Sequence, residues 1–92
     1  MPTILSKIKR YVRAGQWKLE EHVLDALQND GFTIADAKYA ILSAVEFDEM
    51  TGDESHIRYV VFGHAIDGRP LVIVMFFRGR SVRIKTAYEP FI

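Results

Sequence analysis

The apolar run 71–77, Leu-Val-Ile-Val-Met-Phe-Phe, lies between Pro70 and Arg78-Gly79, and no other stretch of the 92 residues restricts the fold as tightly. Its β-branched and aromatic content favours a strand buried on both faces over a short helix. After a turn at Gly79 the pattern alternates, with Val82, Ile84, Thr86 and Tyr88 on one face and Arg83, Lys85 and Ala87 on the other. That is the pattern of a half-buried neighbouring strand. A hairpin built on a central strand is therefore expected, and the rest of the chain has to cover it.

The covering elements can be read in order. Thr3 can cap a first helix whose Ile4, Leu5, Ile8, Tyr11 and Val12 form one stripe, and Gly15 ends it. Trp17 and Leu19 lead into a second helix over residues 20–29, with Val23, Leu24, Ala26 and Leu27 inward and Gly31 as the stop. His22 falls about 100° from the centre of that apolar face, at the boundary of the core. Thr33-Ile-Ala-Asp36 has the form of a capping box and opens a third helix reaching Val45, with Ile34, Ala37, Ile41, Ala44 and Val45 inward. The acidic stretch 46–51 suits an edge strand protected by its charges. Residues 52–55 read as a loop. Residues 57–65 form another strand, with Arg58, Val60, Phe62 and His64 on one face, and Asp67-Gly68 turns it antiparallel into the central strand. The expected architecture is one α+β domain over residues 1–92, with three N-terminal helices packed on a four-stranded antiparallel sheet.

Composition narrows the function classes. The chain has no cysteine, so neither a disulfide framework nor a thiolate metal site is expected. Its three histidines, His22, His56 and His64, have no i, i+4 pairing, and neither a metal nor a cofactor is expected. The longest apolar run is too short to span a bilayer and the N-terminal residues lack the apolar core of a signal peptide, so no membrane partner and a cytoplasmic location are expected. The net charge of zero conceals a partition: residues 1–18 carry five cations and no acid, residues 19–56 sum to −9, and residues 57–92 sum to +4. Such a partition can be plain solvated surface, or it can place the basic first helix and last strand beside one groove that receives RNA.

The polar groups suit metal-independent phosphodiester chemistry: a histidine for proton exchange, Arg and Lys to hold phosphate, and a Thr or Tyr hydroxyl. Each has an ordinary alternative. His22 can be a satisfied boundary residue, Arg58 can pair with an acid of residues 46–54, and Tyr88 can belong to the core.

The combination of Gly15, Leu19-x-x-His22, Gly31-Phe-Thr33-x-x-Asp36, Arg58-Tyr-Val-Val-Phe-Gly63, Pro70-Leu and Thr86-x-Tyr88-x-Pro90 resembles the bacterial domain of unknown function 4258 family across nearly the full chain. That family is commonly encoded among toxin–antitoxin pairs and is similar to the RelE-like and BrnT-like toxins, small α+β ribonucleases. The resemblance implies a RelE-like fold type and catalytic candidates His22, Arg58, Thr86 and Tyr88. Lys85 and Arg83 are the phosphate-binding candidates beside them. Ala26 stands where members often carry an arginine four residues after the helix histidine. The expected activity is metal-independent RNA cleavage, with His22 as general acid or base, Arg58 and Lys85 neutralising phosphate, and Tyr88 acting at the leaving oxygen. RNA and an antitoxin-like protein are the expected partners. The competing expectation is a non-catalytic interaction module that binds an antitoxin-like protein or a second copy as a homodimer. Catalysis requires His22, Arg58 and Tyr88 to share a cleft within about 10 Å.

Overall fold

The computed structural model describes residues 3–50 and 57–90; Thr51, the expected loop at 52–55 and His56 lie outside the described residues. Its elements are α1 (Ile4–Arg13), β1 (Trp17–Leu19), α2 (Glu21–Asn29), α3 (Ile34–Ser43), β2 (Glu46–Met50), β3 (Arg58–His64), β4 (Pro70–Arg78) and β5 (Ser81–Tyr88). The class is α+β, but the sheet is five-stranded and mixed, in the order β1-β5-β4-β3-β2, not four-stranded and antiparallel as expected. The difference lies in Trp17, Lys18 and Leu19. Instead of leading into a helix, they pair parallel with β5, opposite Val82, Arg83 and Ile84. Three residues are too few to show an alternating pattern. Trp17 and Leu19 pack against the core while Lys18 is exposed, and the short strand covers what would otherwise be the bare edge of β5.

The helices form where their caps and stripes place them. The Thr3 hydroxyl accepts from the Ser6 N–H at 3.1 Å. Thr33 and Asp36 make a reciprocal capping box, each side chain accepting from the other residue's backbone N–H. Leu5, Ile8 and Val12 of α1, Val23 and Leu27 of α2, and Ala37, Ala40 and Ile41 of α3 are buried. Two expected inward residues point out: Ile34 is 49% exposed and Val45 is 87% exposed. α3 stops at Ser43 and Ala44 is already extended, so the helical phase no longer applies at Val45.

All three helices cover one face of the sheet. Their buried residues join Tyr59, Val61, Leu71, Ile73, Met75, Val82, Ile84 and Ala87 in one core cluster. Val60, Val72 and Val74 form a separate cluster on the opposite face, which no described helix covers. Gly63 sets the closest approach of the two layers, since a Cβ there would fall on the Ala40 carbonyl of α3. Far from the sheet centre, the β3–β4 turn is tied to the helical layer by polar groups. Asp36 Oδ1 accepts from the Ile66 N–H at 3.1 Å. Arg69 donates to Asp67 Oδ2 and to the carbonyls of Asp30 and Gly31, and its guanidinium lies 4.1 Å from the Phe32 ring centroid. Gly31 holds a φ of 79° there, a value that favours glycine after a helix.

Two outcomes follow from this packing. Gly63→Ala forces backbone apart from backbone, and should destabilise by about 3 kcal/mol, read as a lower urea midpoint with an unchanged slope. The second concerns acid. The Thr33 N–H, with lesser help from the Ile66 N–H, holds the Asp36 carboxyl below its ordinary value of 3.8, and the Arg69 N–H does the same for Asp67. Depressed folded values stabilise the fold above the unfolded value, and this is lost as pH falls through the folded one. Thermal midpoints should therefore drop below about pH 4, and Asp36→Asn should flatten that drop while lowering the midpoint at neutral pH.

Candidate nucleic-acid interface

The two halves of β5 do not present the same side chains to the same face. Met75 pairs with Ile84 and Val74 pairs with Thr86, so Lys85 is skipped and forms a bulge. Val82 and Ile84 before it, and Ala87 after it, point into the helix-covered core. Thr86 and Tyr88 consequently point to the open face, opposite to the side that simple alternation from Val82 and Ile84 gives them. The bulge decides the outcome. It puts Thr86 and Tyr88 on the face that already carries Arg58, Val60, Phe62 and His64.

On that face the sheet register sets rows across the strands. Glu46, Phe62, Val72 and Tyr88 make one row, and Asp48, Val60, Val74 and Thr86 the next. Extending the β3–β4 register by one residue puts Arg58 beside Phe76, whose other neighbour is Arg83 and, beyond it, Lys18. Arg78 pairs with Ser81 one step further on. One end of the open face is thus cationic, while Glu46 lies in the row at the other end and Asp48 in the row between. The basic residues of the N-terminal part and those of the last strand do meet, but through Lys18 of β1; α1 itself lies on the covered face.

His22 lies elsewhere. It stands in the first turn of α2, on the helical side of the sheet, with its side chain 64% exposed. Its Nε2 is 2.9 Å from the Lys85 carbonyl, and a carbonyl only accepts, so Nε2 carries the proton. Its Nδ1 is 3.5 Å from Glu20 Oε2. The carbonyl that it engages belongs to the bulged residue, which the sheet ladder leaves irregular. His22 therefore holds the bulge, and through it the orientation of Thr86 and Tyr88.

The sequence candidates thus divide. Arg58, Arg83, Thr86 and Tyr88 share the open face. Lys85 is the bulged residue, and His22 reaches its carbonyl from the first turn of α2. Arg58 and Tyr88 are four residues apart along β4 and two strands apart across it, on the order of 15 Å by strand geometry. Measured along the backbone, that spacing exceeds the span of about 10 Å that joint catalysis by His22, Arg58 and Tyr88 calls for. Sequence reasoning missed Lys18 as a site residue, because the in-out-in burial of Trp17-Lys18-Leu19 is too short to stand out as a strand. Among the described residues, no group of three or more His, Asp or Glu is placed to hold a metal ion, and no helix is long and apolar enough to cross a membrane.

A family profile described as a domain of unknown function, DUF4258, matches residues 19–89. No curated protein matches the chain, and no solved structure does. The matched span takes in every sequence candidate and stops one residue short of Lys18.

The bulge clamp has a direct test. His22→Ala should lower stability by about 1 kcal/mol, the net worth of a hydrogen bond, and speed amide exchange around residues 84–87. His22→Gln, whose amide can donate to the same carbonyl, should recover much of both. Equal exchange in wild type and His22→Ala would remove the clamp from this account.

Proposed function

The chain belongs to the DUF4258 family, and from that premise and the make-up of the open face we propose an RNA-binding domain of the toxin–antitoxin type. The observation that carries the reading is the Lys85 bulge, which sets Thr86 and Tyr88 on the same face as Arg58 and Arg83. Cations there attract phosphate, and the Thr86 and Tyr88 hydroxyls can bond to the 2′-hydroxyl or phosphate oxygens that mark RNA.

Cleavage of the bound strand is the finer form of this reading, supported by the resemblance to RelE-like and BrnT-like toxin ribonucleases. In it the RNA's own 2′-hydroxyl gives up its proton to water and attacks the adjacent phosphate, the P–O5′ bond breaks to leave a 2′,3′-cyclic phosphate, Arg58 and Arg83 offset the developing charge, and Tyr88 donates a proton to the leaving O5′ and regains one from water. His22 acts at a distance, by holding Lys85. A cytoplasmic location and an antitoxin-like protein partner go with this reading. The second reading is a non-catalytic interaction module for an antitoxin-like protein or a second copy, and the wide separation of Arg58 from Tyr88 favours it over catalysis.

Purified protein should bind an oligoribonucleotide with an affinity that falls steeply with salt. Expression in bacteria should arrest growth with RNA decay if the strand is cleaved. His22→Gln should then retain more activity than His22→Ala, because the donor at Lys85 survives. A general acid–base role predicts equal loss in both. RNA binding without decay or arrest points to binding alone, and capture of a protein partner without RNA binding points to the interaction module.

A further inference from the structure

We infer that Lys18 and Arg83 form a phosphate seat at the β1–β5 seam, taking a backbone phosphate of RNA, an inference that rests on the RNA-binding reading above. Lys18 and Arg83 are directly opposite each other in the parallel pair. Like charges in that position repel, yet no acid among the described residues lies within ion-pair distance of either. Lys18 is exposed and Arg83 half-buried.

The second observation is independent of charge. The Arg83 Nε is buried and has no hydrogen-bond partner among the described residues. Such donors are rare in folded proteins and call for an acceptor. A guanidinium that leaves its inner donor unused gains when it rotates outward to present the Nε and Nη edge to an anion, and that edge matches two oxygens of a phosphate. Lys18 supplies a compact charge next to it, and Arg78, on the same face one row away, together with the exposed Arg80, extends the positive field along the path a strand would follow. An anion in the seat offsets the Lys18–Arg83 repulsion and satisfies Nε at once. Lys18 lies just outside the family match at residues 19–89, so the pair is formed by this chain's β1 docking on its β5.

The test follows the Arg83 Nε–H resonance by NMR in the full chain. It is titrated at low salt with a uridine oligoribonucleotide and, separately, with inorganic phosphate. RNA should shift the resonance, and Lys18→Ala and Arg83→Ala should each weaken RNA binding about tenfold, the loss of one charge-assisted contact. Each should also reduce the salt slope by about 0.7. Arg83→Lys should keep the slope and lose affinity, because it keeps the charge without the Nε donor. Thermal melts of the variants confirm that they fold. RNA binding to wild type with no change in Lys18→Ala and Arg83→Ala overturns the seat and leaves the RNA-binding reading intact. A shift with inorganic phosphate but no binding of RNA retains an anion seat at these residues, and overturns both its assignment to RNA and the RNA-binding reading. Silence of the resonance to both ligands overturns the seat altogether.

Discussion

The double burial of β4 is the constraint on which the other elements depend. Leu71, Ile73 and Met75 on one side and Val72 and Val74 on the other are all buried, so the strand has to lie inside the sheet and needs a partner on each edge. β3 and β5 supply these. The helices then go where the larger apolar side chains are. Leu71, Ile73, Met75 and Phe77 present more area than Val72, Val74 and Phe76, and burial scales with area. The covered face of β4 carries the larger summed apolar area, and the face left open has valine at its centre and both charged and aromatic residues, Phe62, Phe76 and Tyr88, around it.

Layer contact is set by backbone as well as by side chains. Gly63 on β3 lets α3 approach at Ala40, and small residues on the helix, Ala37, Ala40 and Ala44, sustain that approach. The aromatic residues gather at the other end of the sheet. Phe77 stacks edge-on against Tyr11 and Tyr59, with ring centroids 5.8 and 5.5 Å away, and Lys7 Nζ lies 4.7 Å from the Phe77 centroid. Such T-shaped pairs add to area burial. They anchor α1 over the end of β4 from which the cationic turn Arg78-Gly79-Arg80 projects.

One irregular residue converts this scaffold into a candidate interface. Without the slip at Lys85, Thr86 and Tyr88 would fall on the same side as Val82 and Ile84, among the helices, and the open face would lose its two hydroxyl side chains from β5. The cost of the slip is an irregular ladder, and His22 from the helical layer offsets it by donating to the Lys85 carbonyl. The histidine that resembles a catalytic one in sequence is thus bonded to the backbone of the bulge. A one-dimensional motif does not separate that contact from a catalytic one, because either puts a polar donor at a fixed place on α2.

The α+β class, the central strand, the helix caps at Thr3 and Thr33 and the common face of Arg58 and His64 were legible in the sequence, because each depends on neighbours within a few residues. Period, capping and turn chemistry are local, and a single chain displays them. Three things were decided only in the tertiary structure. β1 is three residues long and exists through its pairing with β5, so its fifth place in the sheet is a long-range fact. The bulge at Lys85 is a register difference between two strands, which neither strand carries alone. The contact of His22 with the Lys85 carbonyl and the place of Lys18 beside Arg83 follow from these two. Alternation tells which residues of one strand share a side; only pairing tells which side that is.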